Sequence, residues 1–568
     1  MANTTPTLKL SRKQRLQQGL YLGGIIAAFV LLLWVSGAFA QLRLRLSNIY
    51  FVPSEVSDTI VIIAIDDASI AEYGRFAEWP RSIYADLLDR LSAAGARVVA
   101  FDMLFDQPAE GDDALVQAIQ NARAGEARTR VIMPSVGVQR ADDVQGDAQA
   151  ITFDNVLFPA PYFVAAVDNL GFVNVFPDVD SMIRRQPSLV HYQNETYVSF
   201  SIATYLAYKR IPASAIEQVI TSHPNALDLA AERPLYVDQY GFWVQNYFGP
   251  PASVQPTFTT ISLKDVLADN VDMALFDGKI VLVGAMNNVG FVDQYPVPSD
   301  TSGRPMTGVE IQANAIETLL QNRALREQSP LSQAVMIIVL ALIGSAVYTQ
   351  LRWYWKLVAA FALMVGWVLV ALAIFSIQLE IVYLFHPLLA LFLSLLGAIL
   401  IDIAQEIRRR RKTEFLLESV VAIAEQRLAL DSILAHIAAD LRRITDAPHG
   451  AIWLMNTEQA QFNAAYVWPQ ADGNTFETIA RSAAEKQTRI IEGKSIATPI
   501  IWQGQVLGTL VVHLAEGKRP TREMLNLLDL LARQLAPNLD NALLYGKVER
   551  QRALLEAIFN GSPAGIMV

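Results

Sequence analysis

Three apolar stretches stand almost end to end in the second half of the chain: Leu331 to Tyr348, Leu357 to Ile377 and Ile381 to Ile403. Each is about as long as a helix needs to be to cross a hydrocarbon core of roughly 30 Å. An uncharged run from Gly19 to Ala40 makes a fourth. The composition agrees with membrane segments mixed into globular material, since 52% of residues are hydrophobic and only 18% are charged. With 568 residues, against about 100 to 200 per ordinary domain, three or more folded units are expected.

The charges around these stretches set an orientation. Lys9, Arg12, Lys13 and Arg15 precede the first run, Arg352 and Lys356 lie between the next two, and Arg408 to Lys412 follow the last. The connection between the second and third runs of the later group holds only Gln378, Leu379 and Glu380. Positive charge thus falls on alternate sides. This predicts a cytoplasmic N-terminus over 1–18, spans at 19–40, 331–348, 357–377 and 381–403, and an exported segment at 41–330. Arg43 and Arg45 count against that orientation. Ala38-Phe39-Ala40 fits a signal-peptidase site, but the run before it exceeds the roughly 7 to 15 residues of a cleaved signal, so an uncleaved anchor is expected. His386-Pro387 in the last run reads as a kink with a satisfied histidine.

Lys plus Arg number 45 against 55 Asp plus Glu, a formal charge of -10, so no basic footprint suggests nucleic acid as a partner. Cysteine is absent, which removes disulfides, cysteine-ligated zinc and thiolate nucleophiles. The bilayer is the partner that the sequence does imply.

Within 41–330, short β-branched runs alternate with amphipathic patterns: Thr59 to Asp66, Ala96 to Phe105 and Gly278 to Ala285, with a helix over Tyr84 to Leu91. That rhythm predicts an α/β domain whose nearly continuous apolar strands are covered by helices on both faces. The blocks VIIAIDDASI (Val61 to Ile70), WPRSIYADLLDRL (Trp79 to Leu91), AGARVVAFDMLF (Ala94 to Phe105) and NLGFVNVFPDVDSMIRRQP (Asn169 to Pro187) resemble the second type of CHASE domain. NYFGP (Asn246 to Pro250), FDGKIVLVGA (Phe276 to Ala285) and TGVEIQANAIETLL (Thr307 to Leu320) extend the resemblance over nearly the whole segment. It implies an extracytoplasmic sensor followed by closely spaced spans.

Asp66, Asp67 and Asp102 end strands, where open α/β sheets place ligand contacts. Such acids could hold a hard cation, act as acid and base, or simply cap helices. Arg184 and Arg185 suit an anion clamp, or else an exposed pair neutralising Asp178 and Asp180. Trp79 and Arg81 complete the candidate ligand contacts. No catalytic residue, metal ligand or cofactor is assigned.

After the basic run, 404–444 is expected to be a signalling helix. From Thr413 to Ile444 it carries Leu417, Val420, Val421, Ala424 and Leu428 at helical spacing, suited to pairing with a second copy. Strands are predicted at Gly450 to Met455, Ala464 to Val467, Ile496 to Ile501 and Val506 to Leu514, the last two joined by Gln503-Gly504. A final helix begins near Thr521, with Pro537 as its break. LAHIAADLRRITDAPHGAIWLM and IATPIIWQGQVLGTLVVHL resemble a GAF domain, placed at 428–544. Residues 545–568 are expected to be a linker helix and the start of a PAS domain, so that Ile566 to Val568 belong to a domain that continues.

No phosphoacceptor motif, ATP box, cyclase signature or catalytic triad is found. His436 lacks the flanking residues of a phosphoacceptor, Gly493-Lys494-Ser495 lacks the upstream glycine of a phosphate loop, and Asn194-Glu195-Thr196 is a sequon by chance. The expected fold is a multidomain α/β plus α+β membrane protein: an extracytoplasmic α/β sensor, transmembrane helices and a cytoplasmic GAF-like α+β domain. The expected function is reception of an extracytoplasmic stimulus by a homodimer in the inner membrane and relay to an output, with a histidine kinase first and a diguanylate cyclase or Ser/Thr kinase behind it. Two other classes stay open: an exported enzyme built on the Asp66, Asp67 and Asp102 cluster, and a transport or structural membrane protein.

Overall fold

The computed structural model describes residues 11–140, 150–193, 195–212, 226–229, 233–286, 293–300, 303–425, 430–445, 447–456, 461–469 and 476–561. Asn194, Leu428 and Ser562 to Val568 lie outside the described residues, as do the side chains of Leu417, Val420, Val421 and Ala424. The sequon, the pairing stripe and the PAS start fall there. The chain divides into two compact units, Ser11–Ile399 and a second from Leu400 onward.

The first unit is built on a sheet whose parallel core runs in the order Thr259–Ser262, Ile60–Ile65, Ile280–Ala285, Val98–Asp102 and Arg130–Arg140. The Ile60 and Ile280 strands are apolar on both faces because both are covered. Val61, Ile63, Ile65, Val99 and Phe101 pack with helices Ser82–Ala93 and Asp112–Ala124. Ile60, Ile62, Val98, Ala100 and Leu282 pack on the other face with Phe200–Tyr208 and Gly308–Leu320. Each of the larger of these side chains contributes about 1.5 to 3 kcal/mol by leaving water. Gly308–Leu320 starts at a capping box in which the Thr307 amide and hydroxyl both donate to Glu310, at 3.1 and 2.7 Å.

Four helices are long and apolar enough to cross a membrane: Arg12–Val35, Pro330–Tyr348, Trp353–Gln378 and Phe385–Arg408. The first starts earlier than the apolar run, because Ser11 and Gln14 form a capping box, and it stops at Val35, after which Ala40–Ser47 is a separate helix. Gly19 and Gly23 lie against the second span. A Cβ on Gly23 would come within 2.9 Å of the Ala341 carbonyl oxygen, so only glycine permits this approach. The last span begins at Phe385 and not at Ile381, since Glu380–Ile381 is a strand, paired with Arg326–Glu327. That pairing lengthens the connection expected at 378–380. The helix then runs unbroken from Phe385 to Glu425, so the helix expected from Thr413 is a continuation of the span.

The second unit holds a five-stranded antiparallel sheet in the order Gln461–Trp468, His449–Asn456, Gln505–His513, Ser495–Trp502 and Ile490–Glu492. Helices Leu430–Thr445 and Arg522–Gly561 cover one face, and Glu477–Lys486 covers the other. Gln503 and Gly504 make the expected tight turn, both with positive φ. Gly493 turns the preceding hairpin, which accounts for the phosphate-loop likeness. Pro537 does not break the last helix. Leu535, Ala536 and Leu539 are buried around it, and their packing outweighs the roughly 3 kcal/mol a helical proline costs. His436 is exposed, between buried Leu434 and Ile437.

Candidate functional site

The carboxyl ends of the parallel strands bring Asp66, Asp67 and Asp102 to one end of the α/β domain but not into one cluster. Asp66 is a helix N-cap. Its carboxylate accepts from the Ser69 amide at 2.8 Å, the Ser69 hydroxyl at 2.7 Å and the Ser262 hydroxyl at 2.9 Å. Asp67 begins that helix, Asp67–Tyr73, where an acid suits the helix dipole. Asp102 stands two strands away, because Gly284 of the intervening strand pairs with it while Ala285 pairs with Ile65. Two strand spacings are roughly 10 Å, so Asp66 and Asp102 do not form an acid–base pair.

Asp102 has partners that sequence reasoning missed. The helix that follows Ile280–Ala285 lies on the opposite face from those that follow Ile60–Ile65 and Val98–Asp102. This is the switch point at which open sheets form a crevice. Asp293 and Tyr295 approach Asp102 there. Asp102 keeps some accessible surface, yet its carboxyl is ringed by protein. Burial, and after it the neighbouring Asp293, push its pKa from 3.8 up to about 7. Burial raises Asp293 as well, against a hydrogen bond from Tyr295. No periodicity marks Asp293.

Trp79 is core: it is 3% exposed, its indole N–H donates to the Gly74 carbonyl at 2.9 Å, and Tyr73, Phe76 and Tyr84 surround its ring. Arg81 lies with its guanidinium 4.5 Å from the centre of the Phe105 ring, and its Nε is 3.7 Å from Asp112. Tyr162 donates its hydroxyl to the other Asp112 oxygen.

Arg184 is not exposed, contrary to the sequence reading. Its side chain is 4% exposed and donates to Asp178 at 3.0 Å, to both oxygens of Asp180 at 2.8 and 2.7 Å, and to Asn48 at 2.7 Å. Burial works against its charge, but the bonds to and charges of Asp180 and Asp178 outweigh it and its pKa rises. Arg185 starts a short strand and reaches Asp178 at 2.8 Å, Asp238 at 3.3 Å and Glu327 at 3.7 Å. With every donor of Arg184 directed at the chain's own groups, this is a structural ion network and not an anion clamp.

That network sits where the α/β domain meets the long apolar helices. Leu44, Tyr50, Ile183, Tyr247, Leu325, Ile381 and Tyr383 share one apolar cluster. The Tyr50 hydroxyl donates to the Val382 carbonyl at 2.7 Å, and Arg43 lies 4.5 Å from the Tyr383 ring centre. Glu327, bound by Arg185, is itself in the strand that pairs with Ile381. The connection between the last two spans is therefore built into the domain.

Residues 25–347 match the CHASE2 domain family, and residues 429–539 match the GAF domain family. No curated protein matches the chain. Solved structures similar to it include the GAF domain of an Acinetobacter phosphoenolpyruvate-protein phosphotransferase, at 12% identity, covering 24% of this chain and 95% of that one, with a TM-score of 0.21. The GAF-B domain of DevS from Mycobacterium smegmatis is 17% identical, covering 21% and 98%, with a TM-score of 0.18. A free methionine-R-sulfoxide reductase from Neisseria meningitidis, in complex with its substrate, is 18% identical, covering 23% and 89%, with a TM-score of 0.18.

Proposed function

Because the chain belongs to the CHASE2 domain family, we propose that it is a transmembrane signal receptor of the bacterial inner membrane. The α/β domain is the extracytoplasmic sensor, and the N-terminus, the Arg352 loop and everything after Arg408 are cytoplasmic. One observation carries this reading: the domain holds the connection between the last two spans through Tyr50, Glu327 and Gln328, and the final span continues as one helix to Glu425. A change in the domain thus has a covalent, helical route across the bilayer.

The GAF domain receives that change and passes it to a histidine kinase output, the output implied by the family resemblance. Two copies pair through their cytoplasmic helices. In support, Leu544, Val548 and Leu555 are exposed along Arg522–Gly561 at spacings of a coiled-coil seam. A stimulus acts by favouring one of two packings, since equal affinity for both shifts nothing.

The chain has no cysteine, so single cysteines can report orientation without background. Asp58→Cys in the domain and Gln350→Cys beside the Arg352 loop are introduced separately, and intact cells are treated with a maleimide that does not cross the inner membrane. Labelling of the Asp58→Cys variant alone is expected. Labelling of the Gln350→Cys variant alone would reverse the topology and sink the receptor reading. Phosphate transfer from ATP to a histidine in membranes carrying the native protein tests the output, and its absence removes the kinase assignment only.

A further inference from the structure

Behind Arg81 lies a group of polar atoms that the fold leaves without partners. Tyr84 is 0% exposed, and its hydroxyl has no hydrogen-bond partner among the described residues. The same holds for Arg81 Nε and Asp112 Oδ1, whose separation of 3.7 Å is too long for a hydrogen bond. Two of the three meet around one ring, with the Arg81 guanidinium over Phe105 and the Tyr84 ring packed against Phe105 at 5.3 Å, and Asp112 faces Arg81. Buried polar groups in folded proteins are almost always paired, so three orphans in one place mark a missing partner.

The surroundings are held firmly. Asp112 Oδ2 accepts from the Ala109 amide at 2.9 Å and from Tyr162, which leaves Oδ1 without a hydrogen bond, facing the Arg81 charge at 3.7 Å. The loop after Val98–Asp102 closes over the start of Ser82–Ala93 through a bond from the Arg81 amide to the Glu110 carbonyl at 2.6 Å. Gly111 permits that closure, since a Cβ there would lie 2.6 Å from the Ser82 nitrogen. Exposure rises from Tyr84 at 0%, through the Asp112 and Arg81 side chains at 13% and 17%, to Tyr162 at 38%. The three orphan atoms are thus buried beneath a rim formed by Tyr162, beyond the carboxyl end of the Val98–Asp102 strand.

We infer that Arg81, Tyr84 and Asp112 bind the head group of an α-amino acid, whose carboxylate accepts from Arg81 Nε–H and the Tyr84 hydroxyl and whose ammonium donates to Asp112 Oδ1. The charges select this class. A lone anion is opposed by Asp112 and a lone cation by Arg81, whereas a zwitterion satisfies both. With its face on Phe105, the guanidinium has only its edge left for donation, which suits a carboxylate. This site deepens the receptor reading and rests on the domain being the sensor. Binding itself is read without any output, so its failure leaves the labelling result and that reading untouched.

The test is thermal melting of the full chain in lipid nanodiscs, with each protein amino acid in turn at about 10 mM, ten times a millimolar Kd. At least one is expected to raise the midpoint of the wild type by several degrees. Tyr84→Phe and Asp112→Asn are each expected to weaken that amino acid about tenfold. Without ligand, Tyr84→Phe is expected to melt at or above the wild type, because the hydroxyl removed had no partner. Melting of Tyr84→Phe below the wild type, with no amino acid effective, would assign the orphan atoms to a bound water and overturn the site. Equal shifts in wild type and Tyr84→Phe, or a shift reproduced by acetate alone, would overturn it too.

Discussion

Replacing Asp102 with asparagine tests the electrostatics of the crevice directly. The folded protein holds this carboxyl at a pKa of about 7 against an ordinary 3.8, so it takes up a proton on folding between those values. The penalty for ionising it is absent below about pH 4, grows as pH rises to about 7 and is constant above. Stability therefore falls with rising pH across that window. A wholly dry carboxyl would lose about 4 kcal/mol over it, and the water that reaches Asp102 reduces this to roughly 2 kcal/mol. Asparagine keeps the shape and cannot ionise. At pH 8 Asp102→Asn should be more stable than the wild type by roughly 2 kcal/mol, or about 4 to 8 °C for a domain of this size, and the two should converge at pH 4. Asp293, Glu310 and Glu327 are raised in the same sense, so the variant keeps a shallower slope of its own. The assay is tryptophan emission during heating of the full chain in nanodiscs at a series of pH values. Coincident midpoints for wild type and variant at pH 8 would refute the reasoning.

Arg184→Met leaves Asp178 and Asp180 buried beside an apolar chain, and should cost about 3 to 5 kcal/mol in a denaturant titration; Arg184→Lys should recover little, because an ammonium cannot reproduce the planar fork. Gly23→Leu should detach the first span from the second, measured as lost crosslinking between cysteines introduced in place of Ala27 and Ala341, which share one apolar cluster. Trp79→Ala should cost about 3 to 5 kcal/mol by opening a cavity, and unchanged melting would show that the indole is not core. Pro537→Ala should raise the melting midpoint of the second unit, since it supplies the missing helical donor.

The periodic features of this chain were legible because one physical cause dominated each of them. The Ile60, Val98 and Ile280 strands are apolar on both faces, and each of the four long helices carries a long apolar run, so pattern alone pointed to them. The ends were harder. Ile381 to Leu384 is as apolar as the span behind it, and only its pairing with Arg326–Glu327 in the folded chain draws it out of the helix. Pro537 misled for the opposite reason, as burial of Leu535 and Leu539 overrides a local preference. At the candidate sites, residue type pointed to Asp102 and Arg81, but their partners Asp293 and Asp112 are distant in sequence and carry no periodic mark. Arg184 looked exposed because a charged pair usually is; three acceptors brought from two parts of the chain make its burial tolerable.

The pairing of Arg326–Glu327 with Glu380–Ile381 is only two residues long. Its backbone bonds run from Arg326 to Leu379 at 2.9 Å and from Gln328 to Ile381 at 3.2 Å, with the Gln328 side chain accepting from the Tyr383 amide at 3.1 Å. Three such bonds are together worth about 3 kcal/mol net. A ligand that prefers one arrangement by about two powers of ten supplies about 2.8 kcal/mol, enough to offset them. A long ladder at this seam would demand a stimulus that discriminates more strongly between the arrangements. On the proposed receptor reading, this short one sets a low requirement: a ligand need distinguish the two arrangements only by that factor, however tightly or weakly it is held.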